Sequence, residues 1–289
     1  MRFITKKDIK LPKRVSESHK GDNGLVLAVG GSKDFAGATA LAGLAALRSG
    51  CDLVKIIAPE KAAWAINAYS PDLMTVKMKW DYVNSDYCQI VKKEMRKYNV
   101  LLIGNGVGLK KESKKACRKI IREIKKLKVI DADAVKSISM GGCENSIITP
   151  HSKELEYFLI NSKIGKSAIN KINREKNIIK KSKLIKKTTQ KFLNQDNIIL
   201  LKGKIDTIIS RDKIFYVKGG NPGMTKGGTG DVLAGLCAGF LAQSKDLLQS
   251  SINASHFNKK IGDILLKKKK GFAYLASDMV EEIKRIRDQ

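Results

Sequence analysis

Short apolar runs alternate with longer amphipathic stretches along most of the chain. Leu25–Val29, Leu53–Ala58, Val100–Ile103, Lys128–Ile130, Ser146–Thr149, Asn197–Leu201 and Thr207–Ser210 read as strands, with Phe215–Val217 a hairpin partner for the last. The first run ends at Gly30-Gly31 and the second at Pro59, both strong breakers. Helical spacing fits about Gly37 to Gly50, Asp86–Lys97, Glu112–Lys126, Ser152–Leu159, Asp231–Gln243 and Leu247–Leu266. Strands apolar on both faces and alternating with helices predict an α/β fold with a mostly parallel central sheet covered on both sides. From Asn161 to Asp196 the composition shifts to Lys, Ile and Asn with almost no Gly or Pro. A linker would suit that shift, but the Ile spacing favours an exposed amphipathic helix on the same domain. With no internal repeat, one domain over residues 1–289 is expected.

Composition narrows the class. The five cysteines are odd in number and scattered, with no C-x-x-C, which suits free thiols in a reducing compartment and argues against a disulfide framework or a zinc site. No apolar run is long enough to span a bilayer, and Met1 to Arg14 has no continuous hydrophobic segment of a secretory signal. The expectation is a cytoplasmic protein with no membrane association. The formal charge of +28 raises the question of nucleic acid. Lys is spread over nearly every surface stretch, however, and aromatics are not interleaved with the basic runs, so no specific nucleic-acid binding is expected. A general attraction for anionic metabolites follows instead.

The densest chemical signal is Gly219-Gly220-Asn221-Pro222-Gly223-Met224-Thr225-Lys226-Gly227-Gly228-Thr229-Gly230-Asp231, running into Val232-Leu233-Ala234-Gly235. Glycines here let backbone N–H groups converge, and the start of the following helix adds partial positive charge, so the loop is suited to a phosphate. Asp231 in the first turn is placed to take a proton from a hydroxyl as phosphoryl transfer begins. A turn with an ordinary helix cap is the plain alternative. Against it, Ala234, Gly235, Ala238, Gly239 and Ala242 make the helix small on several faces and so buried.

Other loops leave their alternatives open. Gly104-Asn105-Gly106-Val107-Gly108 follows a strand, but its third Gly comes one residue early for a dinucleotide fingerprint. It remains a loop of close approach at a strand's end. No G-x-x-x-x-G-K-[ST] is present, so there is no P-loop. His151 lies at a strand's carboxyl edge, while Ser152 as an N-cap would explain the segment without a ligand. Asp131 and Asp133 suit either a turn or a metal or substrate contact. Lys202-Gly203-Lys204-Ile205-Asp206 suits either a hairpin turn or a loop around a nucleotide.

Taken in order, these stretches resemble the ribokinase-like NAD(P)H-hydrate dehydratases, the carbohydrate-kinase-domain family. Lys20-Gly21-Asp22-Asn23-Gly24, Gly30-Gly31-Ser32, Phe35-Ala36-Gly37-Ala38, Ala45-Ala46-Leu47-Arg48-Ser49-Gly50, Ile103–Gly108, Asp131–Ala134, Thr149–Glu154, Leu201-Lys202-Gly203 and Asn221–Asp231 carry the likeness. The resemblance implies a three-layer α/β/α fold and the ADP- or ATP-dependent dehydration, with Mg²⁺, of hydrated NADH or NADPH (NAD(P)HX). In that reaction the hydroxyl is phosphorylated and the phosphate then lost. It further implies Asp231 as the base, with Ala38, Gly106 and His151 as contacts to the hydrated dinucleotide. Lys202, Gly203, Lys204, Ile205 and Asp206, with Gly227, Gly228, Thr229 and Gly230, are implied for the adenine nucleotide. A homo-oligomer, often a tetramer, is also implied, with a separate epimerase in the same pathway.

Asn105 and Val107 stand where the family usually has Pro and Leu, a change expected to alter loop rigidity more than chemistry. Ser152-Lys153 replaces the usual Pro-Gly after the His. The runner-up is a ribokinase-like kinase of a vitamin precursor of the hydroxyethylthiazole or hydroxymethylpyrimidine type, which would share the glycine loop and the Asp. The Thr-Pro-His-x-x-Glu segment and the N-terminal glycine signature favour the dehydratase.

Overall fold

The structure, a computed structural model, describes residues 2–268 and 271–286. The ends of the expected 1–289 span, Met1 and 287–289, lie outside the described residues. Nine strands form one sheet: β1 (Leu25–Val29), β2 (Leu53–Pro59), β3 (Met74–Met78), β4 (Val100–Ile103), β5 (Leu127–Ile130), β6 (Ser146–Ile148), β7 (Ile198–Leu201), β8 (Asp206–Ile209) and β9 (Ile214–Val217). Their order is β3-β2-β1-β4-β5-β6-β7-β8-β9. Pairing is parallel from β3 through β7 and antiparallel across β7, β8 and β9, with Thr207 opposite Tyr216 in the expected hairpin.

Side chains on each strand alternate between two cores. Val26 and Ala28 of β1 face one, Leu27 and Val29 the other; Val100 and Leu102 of β4 likewise oppose Leu101 and Ile103. Both sides are apolar because helices cover both, which is why these strands lack polar alternation. The helices between the parallel strands are α1 (Gly37–Arg48), α2 (Glu60–Tyr69), α3 (Tyr87–Glu94), α4 (Lys111–Glu123), α5 (Ala132–Val135), α6 (Ser152–Asn161), α7 (Lys166–Arg174), α8 (Ile178–Thr188) and α9 (Gln190–Leu193). After the hairpin come α10 (Thr229–Ser244), α11 (Leu247–Lys268) and α12 (Ala276–Ile286). Helices α1, α2, α10, α11 and α12 serve the first core, and α3 to α9 the second, giving three layers.

Helix α10 lies in the middle of its layer, with every residue from Val232 to Ala242 buried. It crosses α1 so closely that a side chain on Gly235 would run into the Ala42 carbonyl. The small residues that predicted burial are therefore what allow the two backbones to meet.

Two expectations need correction. Residues 161–196 are not one exposed helix but the short helices α7, α8 and α9, whose Ile169, Ile172, Ile185 and Phe192 are buried in the second core. The chain breaks at Asn177, whose side chain accepts from the N–H groups of Ile179 and Lys180 and starts a new helix. Strand β3 was not anticipated, because at the sheet edge only its last residue, Met78, is buried and the periodic signal is lost. No described helix is long and apolar enough to cross a membrane.

Candidate active site

The strand order reverses between β1 and β4: β1 continues to β2 on one side, and the chain returns to place β4 on the other. In an open parallel sheet this leaves a crevice at the carboxyl ends of the two strands. Both strands end there in glycine loops, Gly30-Gly31-Ser32 and Gly104-Asn105-Gly106. The Asn105 carbonyl ties them together, accepting from the Gly31 N–H at 2.8 Å and from Thr39 Oγ1 of α1 at 2.7 Å. Ala38, in the first turn of α1, and Gly106 face each other across this junction; a Cβ on Gly106 would sit 3.3 Å from that of Ala38.

The N-terminus of α10 opens onto the same crevice. Its cap is Gly228, with φ +91°, where a side chain would strike Leu41 and Ala276. Thr229 Oγ1 turns back into its own loop, donating to the Met224 and Lys226 carbonyls at 2.7 and 3.0 Å. Asp231, the third helical residue, makes no cap bond, so the plain capping account of it fails. Gly227 has nothing within 4 Å of where a Cβ would be, and Gly230 only Lys202 Nζ at 3.4 Å. Open space at Gly227 and Gly230 of a helix start, beside a lysine, is an arrangement for an anion.

Asp231 is partly buried, and its carboxyl is pushed up to about 7 by burial and by the neighbouring Asp131 charge, with Asn105 and Lys202 pulling the other way. Asn105 Nδ2 donates to Asp231 Oδ1 at 2.6 Å and to Asp131 Oδ2 at 3.0 Å. Asp131 Oδ1 in turn accepts from Thr149 Oγ1 at 2.6 Å and from Lys202 Nζ at 3.0 Å. Lys202 also lies 3.5 Å from Glu154, whose other oxygen is 3.5 Å from His151 Nε2. Burial works against charge on Lys202, but Asp131 and Glu154 outweigh it and hold the ammonium above its ordinary pKa. One polar chain thus runs from Asp231 through Asn105, Asp131, Lys202 and Glu154 to His151.

Several single residues land differently from expectation. His151, not Ser152, is the N-cap of α6: its Nδ1 accepts from Lys153 N at 3.1 Å and Glu154 N at 3.4 Å, while Glu154 Oε2 accepts from His151 N. Burial and the Lys202 and Lys136 charges lower its pKa, against the pull of Glu154. With Nδ1 committed as an acceptor, the ring proton sits on Nε2. Residues 202–206 form a hairpin connection, as one reading had it, and only part of it faces outward. The Asp206 carboxylate is turned in and takes bonds from Gly203 N at 2.9 Å and Ser255 Oγ at 2.8 Å, with Lys259 Nζ 3.3 Å away. Asp131 caps no bond of its own helix but sits inside the network, whereas Asp133 Oδ2 accepts from Gly108 N and steadies that loop. Asn105 was expected to affect loop rigidity more than chemistry, yet its amide touches Asp231 directly. The available signal was a polar side chain between two glycines at the end of a central strand. Lys259, on α11, had none.

Comparison with known proteins agrees with this architecture. Residues 26–285 match the carbohydrate-kinase-type family described as NAD(P)H-hydrate dehydratase. A bifunctional NAD(P)H-hydrate repair enzyme of Methanocaldococcus jannaschii is 38% identical over 283 residues, 96% of this chain and 51% of the relative. The chain thus spans about half the length of the bifunctional relatives it matches. An ADP-dependent (S)-NAD(P)H-hydrate dehydratase of Nitrosopumilus maritimus is 30% identical over 286 residues, 96% of this chain and 92% of the relative. Among solved structures, a ribokinase-like superfamily protein of Enterococcus faecalis V583 superposes with a TM-score of 0.82 at 25% identity, over 99% of this chain and 95% of that one.

Proposed function

The chain belongs to the NAD(P)H-hydrate dehydratase family, and from that premise we propose that it dehydrates the S-epimer of NAD(P)HX to NAD(P)H at the expense of ADP or ATP. The observation that carries the reading is Asp231: a carboxyl held near 7, in the first turn of a helix whose glycine N-terminus is open to an anion. Such a group is ionised often enough to accept a proton at neutral pH and basic enough to hold it.

In this reading the substrate hydroxyl gives its proton to Asp231, and its oxygen bonds to the terminal phosphorus as the bridging P–O bond of the nucleotide breaks. The nucleotide leaves one phosphate shorter. The ring nitrogen's lone pair then expels the new phosphate, and loss of a proton from the adjacent carbon restores the double bond. The terminal phosphate lies over the N–H groups of Gly227, Gly228, Thr229 and Gly230, where Lys202 meets the charge that develops. Thr229 serves through its backbone, since its hydroxyl is engaged in the loop. Lys202 to Ile205 flank the nucleotide, and Asp206 holds that loop from behind. Ala38 and Gly106 bound the hydrated ring's side of the crevice, and His151 presents its Nε2 proton at the rim. Mg²⁺ travels with the nucleotide. No group of three or more His, Cys, Asp or Glu side chains able to hold a metal is found among the described residues, so phosphate oxygens and water would supply most of its ligands.

The same reading takes the chain as one domain, supported by a single sheet running from Leu25 to Val217. It takes the protein as a cytoplasmic homo-oligomer supplied by an epimerase acting on the other epimer. Incubation with NADHX, Mg²⁺ and either ADP or ATP is expected to restore NADH absorbance with one equivalent of phosphate released. No recovery with either nucleotide, alongside phosphorylation of a vitamin-precursor alcohol, would overturn the reading in favour of a small-molecule kinase.

A further inference from the structure

Two carboxylates converge on one amide nitrogen in this site. Asp131 arrives from the end of β5 and Asp231 from α10, and Asn105 Nδ2 lies between them, 3.0 Å from one and 2.6 Å from the other. Asn105 is 1% exposed, and its backbone is fixed by the two bonds its carbonyl accepts from Gly31 and Thr39. The side chain therefore starts from a fixed point and has little freedom to point elsewhere. A primary amide carries two N–H donors spread across its plane, so it serves two carboxylates at once without titrating itself.

We infer that Asn105 is a positioning residue that selects which oxygen of Asp231 acts as the base and prevents Asp131 from sharing that oxygen's proton. The inference rests on Asp231 being the base, as proposed above. The two carboxylates are unequally supplied. Asp131 also receives Thr149 Oγ1 and Lys202 Nζ, so its charge is compensated and its lone pairs are occupied. Asp231 has the Asn105 amide on Oδ1, which leaves Oδ2 to meet the substrate hydroxyl. Without the amide, Asp231 Oδ1 and Asp131 Oδ2 would both lose the donor they share, while each carboxyl still felt the other's charge. The cheapest relief for such a pair is to share a proton, which would occupy the base before substrate arrives. Asn105 removes that option by giving each partner its own N–H.

The charged groups facing Asp231 are Asp131 and Asp133 from the end of β5 and the start of α5, and Lys202 from the end of β7. Asn105 and Lys202 favour the ionised form and the two aspartates oppose it, so losing the amide tips the balance toward the proton.

The test is a carbon-13 NMR titration of the Asp231 carboxyl in the nucleotide-free protein, assigned against Asp231→Asn, for wild type, Asn105→Ala and Asn105→Ser. The midpoint should rise by about one pH unit or more in both variants. With NADHX and nucleotide, kcat/KM at neutral pH should fall about fivefold or more, with the acid limb of its pH profile moved by the same amount and nucleotide KM little changed. An unmoved Asp231 midpoint in both folded variants would overturn the inference, as would a fall in kcat/KM with an unshifted acid limb, which marks a merely structural role. If wild type does not dehydrate NADHX at all, the functional reading fails separately, and the titration still decides what Asn105 does to Asp231.

Discussion

Asp231 and Asp206 invite comparison because each stands at the end of a loop taken from sequence to hold the nucleotide, and each ends up near a lysine. Asp206 is 4% exposed and is met from three directions: the Gly203 N–H, the Ser255 hydroxyl and the Lys259 ammonium, itself bonded to the Gly203 carbonyl at 2.9 Å. Asp231 takes one side-chain hydrogen bond, from Asn105, and the charge that acts on it most strongly is that of another carboxylate. Burial pushes both carboxyls up, but only Asp206 is closed off by a paired lysine and two donors of the fold. A carboxylate whose lone pairs are filled by the fold is a fastener; one left short of donors and open on one side can still accept a proton.

The contrast is tested by disabling the chemistry of one carboxyl and the ion pair of the other. Asp231→Asn should lower kcat on the order of 10²–10⁴-fold while the protein stays folded and still binds nucleotide. Comparable activity in Asp231→Asn and wild type would remove Asp231 from the chemistry. Removal of the fastener should have the opposite signature. Lys259→Met leaves Asp206 buried without its cation and should reduce the unfolding free energy by about 3–5 kcal/mol in denaturant titrations. The double variant Asp206→Asn with Lys259→Met should recover much of that loss, since a buried pair removed whole costs far less than a broken one. Additive losses in the double variant would mean that the two residues act independently.

The smallest effect is the most specific to Asp231. Its folded pKa, about 7, lies above the unfolded value, so its contribution to stability is fully present below about pH 4 and is lost as pH rises toward and through about 7. Asp231→Asn cannot titrate and escapes that loss. The gap in melting temperature between the variant and wild type should therefore widen in the variant's favour from about pH 4 to about pH 7 and stay level above that. A gap that does not change with pH would mean that Asp231 is ionised at its ordinary value and is not the strained group described here.

How much of this was readable in the residues differs sharply between elements. The central strands were placed to within a residue or two because each is an apolar run closed by a breaker, and β1 was matched end to end. Helix α10 was expected to be buried because its small residues leave no polar face, and it is. The edge strand β3 leaves no such signal, because Met78 alone of its residues is buried. Residues 161–196 were read as one helix because Ile spacing survives a break, and only the Asn177 cap reveals where the chain turns.

The same division runs through the site. Asp231 at the end of a glycine loop was legible, because a loop that feeds a helix start can be recognised from local chemistry alone. The surroundings that set its pKa come from the ends of β4, β5 and β7, more than a hundred residues away for Asn105. Asp206 looked equally suited to a nucleotide because no local pattern shows that α11 will bring Ser255 and Lys259 to it. The layers, the glycine helix start and the presence of an acid there follow from periodicity and backbone freedom over a few residues. Which aspartate is saturated with donors and which is left with a single amide is settled by packing, because it depends on desolvation and on groups gathered from separate strands and helices at one edge of the sheet.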